Sequence, residues 1–177
     1  MLQYAAFSTE LGYWGFAGQN QTIHAVVIGH HEEEQAIKAL LKKTGETTSS
    51  KIKSSDWYPE LREQLQQFAT GDVVDFSQVK IFFPEKLTRF QRKVLTQTRR
   101  LKYGQTASYQ ELAARAGHPG AARAVGSVMS HNAVPILIPC HRVLGAGGKL
   151  GGFSAPRGIA LKKDLLKLED PSCAILV

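Results

Sequence analysis

Three short runs rich in aromatic and β-branched residues, at 3–7, 12–17 and 22–28, are separated by Gly12 and by Gly18-Gln19-Asn20. They predict the strands of a small antiparallel sheet. His30-His31-Glu32-Glu33-Glu34 then opens a helix running to about Lys43. Acidic residues stand in its first turn and Lys42-Lys43 in its last, as the helix dipole prefers, and Ile37, Leu40 and Leu41 supply its apolar face. A Ser/Thr/Lys-rich loop is expected over 44–55. Asp56 is expected to cap a second helix carrying Leu61, Leu65 and Phe68. Strand-like segments follow at 73–76 and 80–83, and Pro84 marks the expected junction between an N-terminal lobe, 1–84, and a C-terminal lobe, 85–177.

Beyond Pro84 the pattern turns helical. Thr88-Arg89-Phe90-Gln91 and Ser108-Tyr109-Gln110-Glu111 have the form of capping boxes. The first opens a helix with Phe90, Val94, Leu95 and Leu101 at helical spacing, and the second a helix ending near Gly117. His118-Pro119-Gly120 makes a sharp turn into a third helix over 121–129. Two short helices joined by a Gly/Pro turn form a helix-turn-helix pattern. The second of them presents small residues, Ala121, Ala122 and Gly126, with Arg123 as the one long side chain in its first turns. Such a helix can lie close to a shallow groove while Arg123 enters a base stack, the arrangement of proteins that flip a base from a duplex. Pro156 fits the first turn of a last helix whose Leu161, Leu165 and Leu168 form a core stripe.

One stretch fits none of these periods. Val134-Pro135-Ile136-Leu137-Ile138-Pro139-Cys140-His141-Arg142-Val143 is an apolar run bracketed by prolines, which exclude an interior helix or a central strand. It is expected to be a rigid, buried, extended passage that delivers Cys140 to a fixed place. An isolated cysteine is usually a buried structural thiol. His141 and Arg142 beside it supply positive potential that favours the thiolate, the attacking form. The glycine-rich segment 145–154 follows, but Lys149 precedes Leu150 rather than Ser or Thr, so it is no phosphate-cradling P-loop. A flexible backbone closing over a pocket is the better reading.

Composition narrows the class. A chain of 177 residues with 43% hydrophobic content suits a soluble globular protein. No apolar run is long enough to cross a bilayer, and the first residues lack the pattern of a secretory signal. The expectation is an intracellular monomer, cytoplasmic or, in a eukaryote, nuclear, with no membrane partner. Two cysteines are too few for a disulfide framework or a thiolate zinc cage. His30-His31 reads as an exposed pair, so no metal is expected. Residues 1–79 carry six Lys+Arg against ten Asp+Glu, and residues 80–177 carry sixteen against five. The second half therefore suits a polyanion, with nucleic acid the leading candidate.

Segments 104–113, 121–129 and 135–143 resemble, in order and spacing, the O6-alkylguanine-DNA alkyltransferases, also called methylated-DNA–protein-cysteine methyltransferases. The resemblance is strong over 87–169. It implies an α+β fold with a ribonuclease H-like sheet-and-helix N-terminal lobe and a mainly helical C-terminal lobe. It also implies stoichiometric, irreversible transfer of an alkyl group from O6-alkylguanine in double-stranded DNA to Cys140, without a cofactor. His141 would be the base reached through a water, Glu169 would orient its imidazole, and Asn132 would brace the active-site turn. Tyr109 would push the target phosphate and meet the flipped base, and Arg123 would fill the vacated stack. Ser154 would offer its backbone N–H to O6, the carbonyls of Cys140 and Val143 would accept from the guanine amino group, and Met129 would line the pocket. Arg142, with Ala121, Ala122 and Gly126, is expected on the DNA-binding surface. Phe153 stands where some relatives have a tyrosine. Relatives that bind zinc in the N-terminal lobe use cysteines this chain lacks. Alternatives from other classes are a Cys-His hydrolase and a non-catalytic sensor of alkylated DNA. The sequence leaves open whether O4-alkylthymine is also a substrate.

Overall fold

The computed structural model describes residues 1–45 and 52–173 and is a mixed α+β protein. The chain divides into two compact units, Met1–Phe82 with Ala155–Arg157, and Phe83–Ser154 with Gly158–Val177.

The first unit is built on strands β1 (Leu2–Thr9), β2 (Gly12–Gln19) and β3 (Thr22–His30), which pair antiparallel in sequence order. Asn20 and Gln21 both adopt positive φ, 50° and 56°, at the β2–β3 turn. That is the backbone a two-residue hairpin needs to match strand twist, and asparagine tolerates it well. At Gly12, φ is 97° and a Cβ would stand 2.7 Å from the His30 carbonyl oxygen, so glycine is required.

The sheet is not purely antiparallel. Short strands β4 (Ile52–Ser54) and β5 (Lys80–Ile81) join its edges in parallel, giving the order β4-β1-β2-β3-β5. Of the loop expected over 44–55, residues 46–51 lie outside the described residues, and 52–54 is strand. Residues 73–76 form no strand, and Val73 is exposed; an apolar run without a paired edge beside it stays irregular.

Helices cover both faces of this sheet. Alternation along β2 sends Ala17 one way and Trp14 and Phe16 the other. Helix α1 (Glu33–Thr44) buries Ala36 and Leu40 against Ala17, Ala25 and Val27. Helix α2 (Pro59–Ala69) brings Phe68 to Trp14, with ring centroids 6.3 Å apart, and buries Leu61 and Leu65 completely. Tyr58, not Asp56, occupies the N-cap of α2, where Pro59 follows as the first helical residue; Asp56 instead binds the Arg62 guanidinium through both oxygens.

Among the described residues, the second unit has four α-helices. α3 (Arg89–Arg99) and α4 (Tyr109–Arg115) each begin with a complete capping box, Thr88 with Gln91 and Ser108 with Glu111. α5 (Ala122–Ser130) follows a turn in which Gly117 and Gly120 take positive φ. Val94, Leu95 and Thr98 of α3, Leu112 and Ala113 of α4, and Val125, Val128 and Met129 of α5 are buried. α6 (Gly158–Glu169) starts two residues after Pro156, which lies in the preceding turn. Strand β6 (Ala107–Ser108), just before α4, and strand β7 (Val143–Leu144), between α5 and α6, pair in parallel. This two-residue ladder ties the start of α4, and with it Tyr109, to the chain just beyond Cys140.

Candidate active site

The proline-bracketed stretch is buried as expected, with Val134, Ile136, Leu137, Ile138 and Cys140 all in the core. It is not extended. Ile136 takes φ 71°, Ile138 N–H donates to the Val134 carbonyl, and Cys140–Arg142 is one turn of 3-10 helix. The prolines do forbid regular structure, but they leave a tight turn open, and Pro139 with φ −78° is suited to precede the 3-10 turn. A β-branched residue at positive φ is strained by roughly 1–3 kcal/mol and persists only where its surroundings hold it. Asn132 does the holding: its Nδ2 donates to the Ile138 carbonyl at 2.8 Å, and its Oδ1 accepts from Val134 N–H at 3.1 Å.

Cys140 reaches the wall of a cavity of about 340 Å³ lined also by Tyr109, Gly126, Met129, Ser130, Gly152, Phe153 and Ser154. Five of these expected pocket or surface residues, Tyr109, Gly126, Met129, Phe153 and Ser154, are thereby brought to one site around the thiol. The volume lies near the lower end of small-ligand sites, roughly 300–1,000 Å³, and suits one ring system. Gly151 packs against Tyr109. Its φ is 65°, and a Cβ there would stand 2.7 Å from the Tyr109 hydroxyl, so the glycine-rich segment can approach the phenol only as glycine. A Cβ on Gly126 would lie 3.9 Å from the Tyr109 ring, which assigns the small residue at 126 to the pocket wall. Burial, with the charge of ionised Cys140 second, raises the Tyr109 pKa and keeps the phenol a hydrogen-bond donor.

Beside the cavity wall lies a buried ionic cluster. His141 is fully buried, and its Nε2 meets Glu169 Oε1 at 2.7 Å. Arg142 approaches the same carboxylate, with Nη2 2.8 Å from Oε1 and Nε 2.9 Å from Oε2, while its Nη1 donates to the Leu101 carbonyl. Gly104 N–H adds a donor to Glu169 Oε2 at 3.0 Å. Burial alone would raise the Glu169 carboxyl, but the hydrogen bonds and charges of His141 and Arg142 outweigh it and hold the pKa at about 2. For His141 burial is the largest effect and lowers the pKa, with Glu169 opposing. The resting cluster is thus a neutral imidazole on a carboxylate kept ionised by its bonds to His141 and Arg142.

This geometry overturns one expectation. Arg142 is 7% exposed and committed to Glu169 and Leu101, so it is not on a DNA-binding surface. A guanidinium beside a buried carboxylate is stabilised there; moved to solvent it would leave Glu169 as an unpaired buried charge. Arg123, by contrast, is exposed near the start of α5, where Ala121 and Ala122 are half-buried. The Val143 carbonyl is engaged by a residue absent from the sequence reading: Lys162 Nζ donates to it at 2.7 Å. Lys162 is 1% exposed, its ammonium lies 5.9 Å from the Tyr109 ring centroid, and burial lowers its pKa to about 8, with the Cys140 charge opposing. The signal was present: Lys162 is three and four residues before Leu165 and Leu166, on the face that α6 buries.

Known proteins resemble this chain over most of its length. A family model described as the DNA-binding domain of 6-O-methylguanine DNA methyltransferase matches residues 89–171. A methylated-DNA–protein-cysteine methyltransferase of Methanosarcina acetivorans is 39% identical over 128 residues, 72% of this chain and 79% of that protein. Among solved structures, the O6-methylguanine methyltransferase of Mycobacterium tuberculosis superposes with a TM-score of 0.77 at 31% identity, covering 98% of this chain and 95% of the other. A structure of OGT from the same organism in complex with DNA superposes equally well, at 30% identity over 96% and 93% of the two chains.

Proposed function

We infer, from the premise that the chain belongs to the methylated-DNA–protein-cysteine methyltransferases, that it repairs O6-alkylguanine in duplex DNA by taking the alkyl group onto Cys140 in a single turnover. The observation that carries this reading is the seating of Cys140: a thiol on the wall of a ring-sized cavity, next in sequence to an imidazole backed by an ionised carboxylate.

The chemistry follows from that seating. With Nε2 held by Glu169, His141 has Nδ1 for proton traffic, and through one water it takes the proton of the Cys140 thiol. Glu169 stabilises the imidazolium that forms. The thiolate attacks the alkyl carbon; the S–C bond forms as the C–O6 bond breaks, and the electron pair moves onto guanine. The Ser154 backbone N–H meets the charge developing on O6, and the Tyr109 phenol stands ready as a donor. The proton lost by the thiol balances the one the released guanine gains. Lys162 adds positive charge where the thiolate forms. The thioether product is chemically stable, so the alkyl group stays on Cys140.

DNA is delivered by the α4–α5 pair. Ala121 and Ala122 let the start of α5 lie against a minor groove, and Arg123 occupies the space left by the flipped nucleotide. Met129 and Phe153 flank the ring, and the Cys140 and Val143 carbonyls accept from the 2-amino group. A carbonyl oxygen has two lone pairs, so the Lys162 bond to Val143 does not preclude this. O4-alkylthymine lacks that amino group, which makes guanine the base proposed. The C-terminal lobe carries all of these residues, and the N-terminal lobe is assigned a structural role.

Titration with a duplex carrying isotope-labelled O6-methylguanine tests the reading. Label on the protein should saturate at one methyl per chain, and Cys140→Ser should bind the duplex without taking label. Tight binding without transfer by the wild-type chain would favour the sensor alternative, and release of product over many cycles would favour a hydrolase.

A further inference from the structure

We propose that the exposed basic face of α3 is a second, sequence-independent contact to the phosphate backbone of the same duplex. This rests on the reading that the chain acts on duplex DNA.

Seven cations, Lys86, Arg89, Arg92, Lys93, Arg99, Arg100 and Lys102, lie between Glu85 and Glu111 with no acidic residue among them. α3 turns Val94, Leu95 and Thr98 inward, so Arg89, Lys93, Thr96 and Arg100 remain exposed. Along this face runs a groove of about 410 Å³ lined by Leu87, Arg89, Arg92, Lys93, Thr96 and Gln97. Arg92 forms its fixed side, since Nη2 donates to the Pro84 carbonyl at 2.8 Å. Among the described residues no carboxylate lies within ion-pair distance of Arg89, Lys93 or Arg100. The first turn of α3 holds no acidic residue, and Arg89, Arg92 and Lys93 crowd a helix end whose dipole favours the opposite sign. Beyond Arg92's bond to Pro84, Arg89 and Lys93 meet no carboxylate among the described residues, and an anion laid along the groove would partner them.

The duplex is the anion the geometry favours. The Phe90 ring meets His118, in the turn between α4 and α5, edge-on at 5.1 Å. The Lys93 ammonium lies 3.7 Å from where a Cβ on Gly117 would stand. The basic groove therefore borders the helix-turn-helix itself, and a duplex seated on α5 has its backbone within reach. From Arg89 to Arg100 the helix advances roughly 16 Å, and one strand presents a phosphate about every 3.4 Å of duplex axis. The face is thus long enough for two or three cations to meet phosphates of one strand, with Gln97 as a neutral donor.

The test compares wild type with the double variant Arg89→Gln/Lys93→Gln, binding an undamaged duplex over a range of salt concentrations. The logarithmic salt slope should shrink by about 1–2, with affinity at about 0.1 M salt falling roughly ten- to a hundred-fold. Alkyl transfer from a free O6-alkylguanine nucleobase, which makes no phosphate contact, should keep the wild-type rate. The charge-keeping pair Arg89→Lys/Lys93→Arg should keep the slope, which separates charge from folding. An unchanged slope in the glutamine pair overturns the proposal, as does loss of binding to anionic vesicles alone. Failure of the wild type to transfer alkyl from any duplex would instead overturn the proposed function, because the slope is read on undamaged DNA.

Discussion

Replacing Arg142 with methionine separates a buried brace from a DNA contact. The guanidinium makes three close approaches to the Glu169 carboxylate, at 2.8, 2.9 and 3.1 Å, and donates to the Leu101 carbonyl. Methionine keeps much of the bulk but leaves Glu169, with 1% of its side chain exposed, without its permanent cation. Removing one partner of a buried ion pair costs about 3–5 kcal/mol. The depressed Glu169 carboxyl, at about 2 against 4.5, points the same way, with His141 and Arg142 both holding it down. With a urea dependence of about 2 kcal/mol per molar, the unfolding midpoint at neutral pH should fall by about 1.5–2.5 M. The pH dependence has a definite sign. Glu169 is depressed in the fold, so its contribution is complete above pH 4.5 and is lost as pH falls towards 2. The deficit of the variant should shrink over that window. Urea unfolding at pH 7 and at several values below 4.5, with duplex binding against salt, reads both quantities. An unshifted midpoint with a salt slope smaller by about 1 would refute the brace and return Arg142 to the DNA surface.

Three further outcomes follow from individual contacts. Asn132→Asp keeps the shape but loses the Nδ2 donor to the Ile138 carbonyl; it should cost about 1–3 kcal/mol in thermal unfolding and slow alkylation more than it weakens duplex binding. Lys162→Met should lower the alkylation rate at neutral pH, and the difference from wild type should fade as pH rises past about 8, where the wild-type ammonium has lost its proton; a constant ratio across that pH would exclude the charge as the cause. Gly151→Ala places a Cβ 2.7 Å from the Tyr109 hydroxyl at a backbone φ of 65°, so it should destabilise by about 1 kcal/mol or more and slow transfer, as a thermal melt and a single-turnover rate will show.

Much of the architecture was legible because local signals agreed with the fold. Both capping boxes form as read, and Leu61, Leu65 and Phe68 are buried on one face of α2. The parallel edge strands were not legible, since two- and three-residue strands carry too little pattern and depend on a neighbour distant in sequence. At the site, Cys140, Tyr109, Met129, Phe153 and Ser154 converge on one cavity. Arg142 was misplaced and Lys162 passed over for a shared reason. A cation in sequence is assigned to solvent by default, and only the fold reveals the Glu169 carboxylate or the Val143 carbonyl that holds it inside. The shape of the Cys140 segment eluded the sequence differently. Pro135 and Pro139 state what the chain cannot be, but the choice of a turn with Ile136 at positive φ is made by Asn132, which grips it from both ends.

The central claim is that the sulfur of Cys140 is consumed as a co-substrate. Peptide mapping by mass spectrometry, after incubation with a duplex carrying one O6-methylguanine, tests it at the atom concerned. A single added methyl is expected, confined to the peptide containing Cys140, with Cys173 unmodified and guanine restored in the DNA. An unmodified Cys140 alongside repaired DNA, or a methyl carried on Cys173, would contradict it.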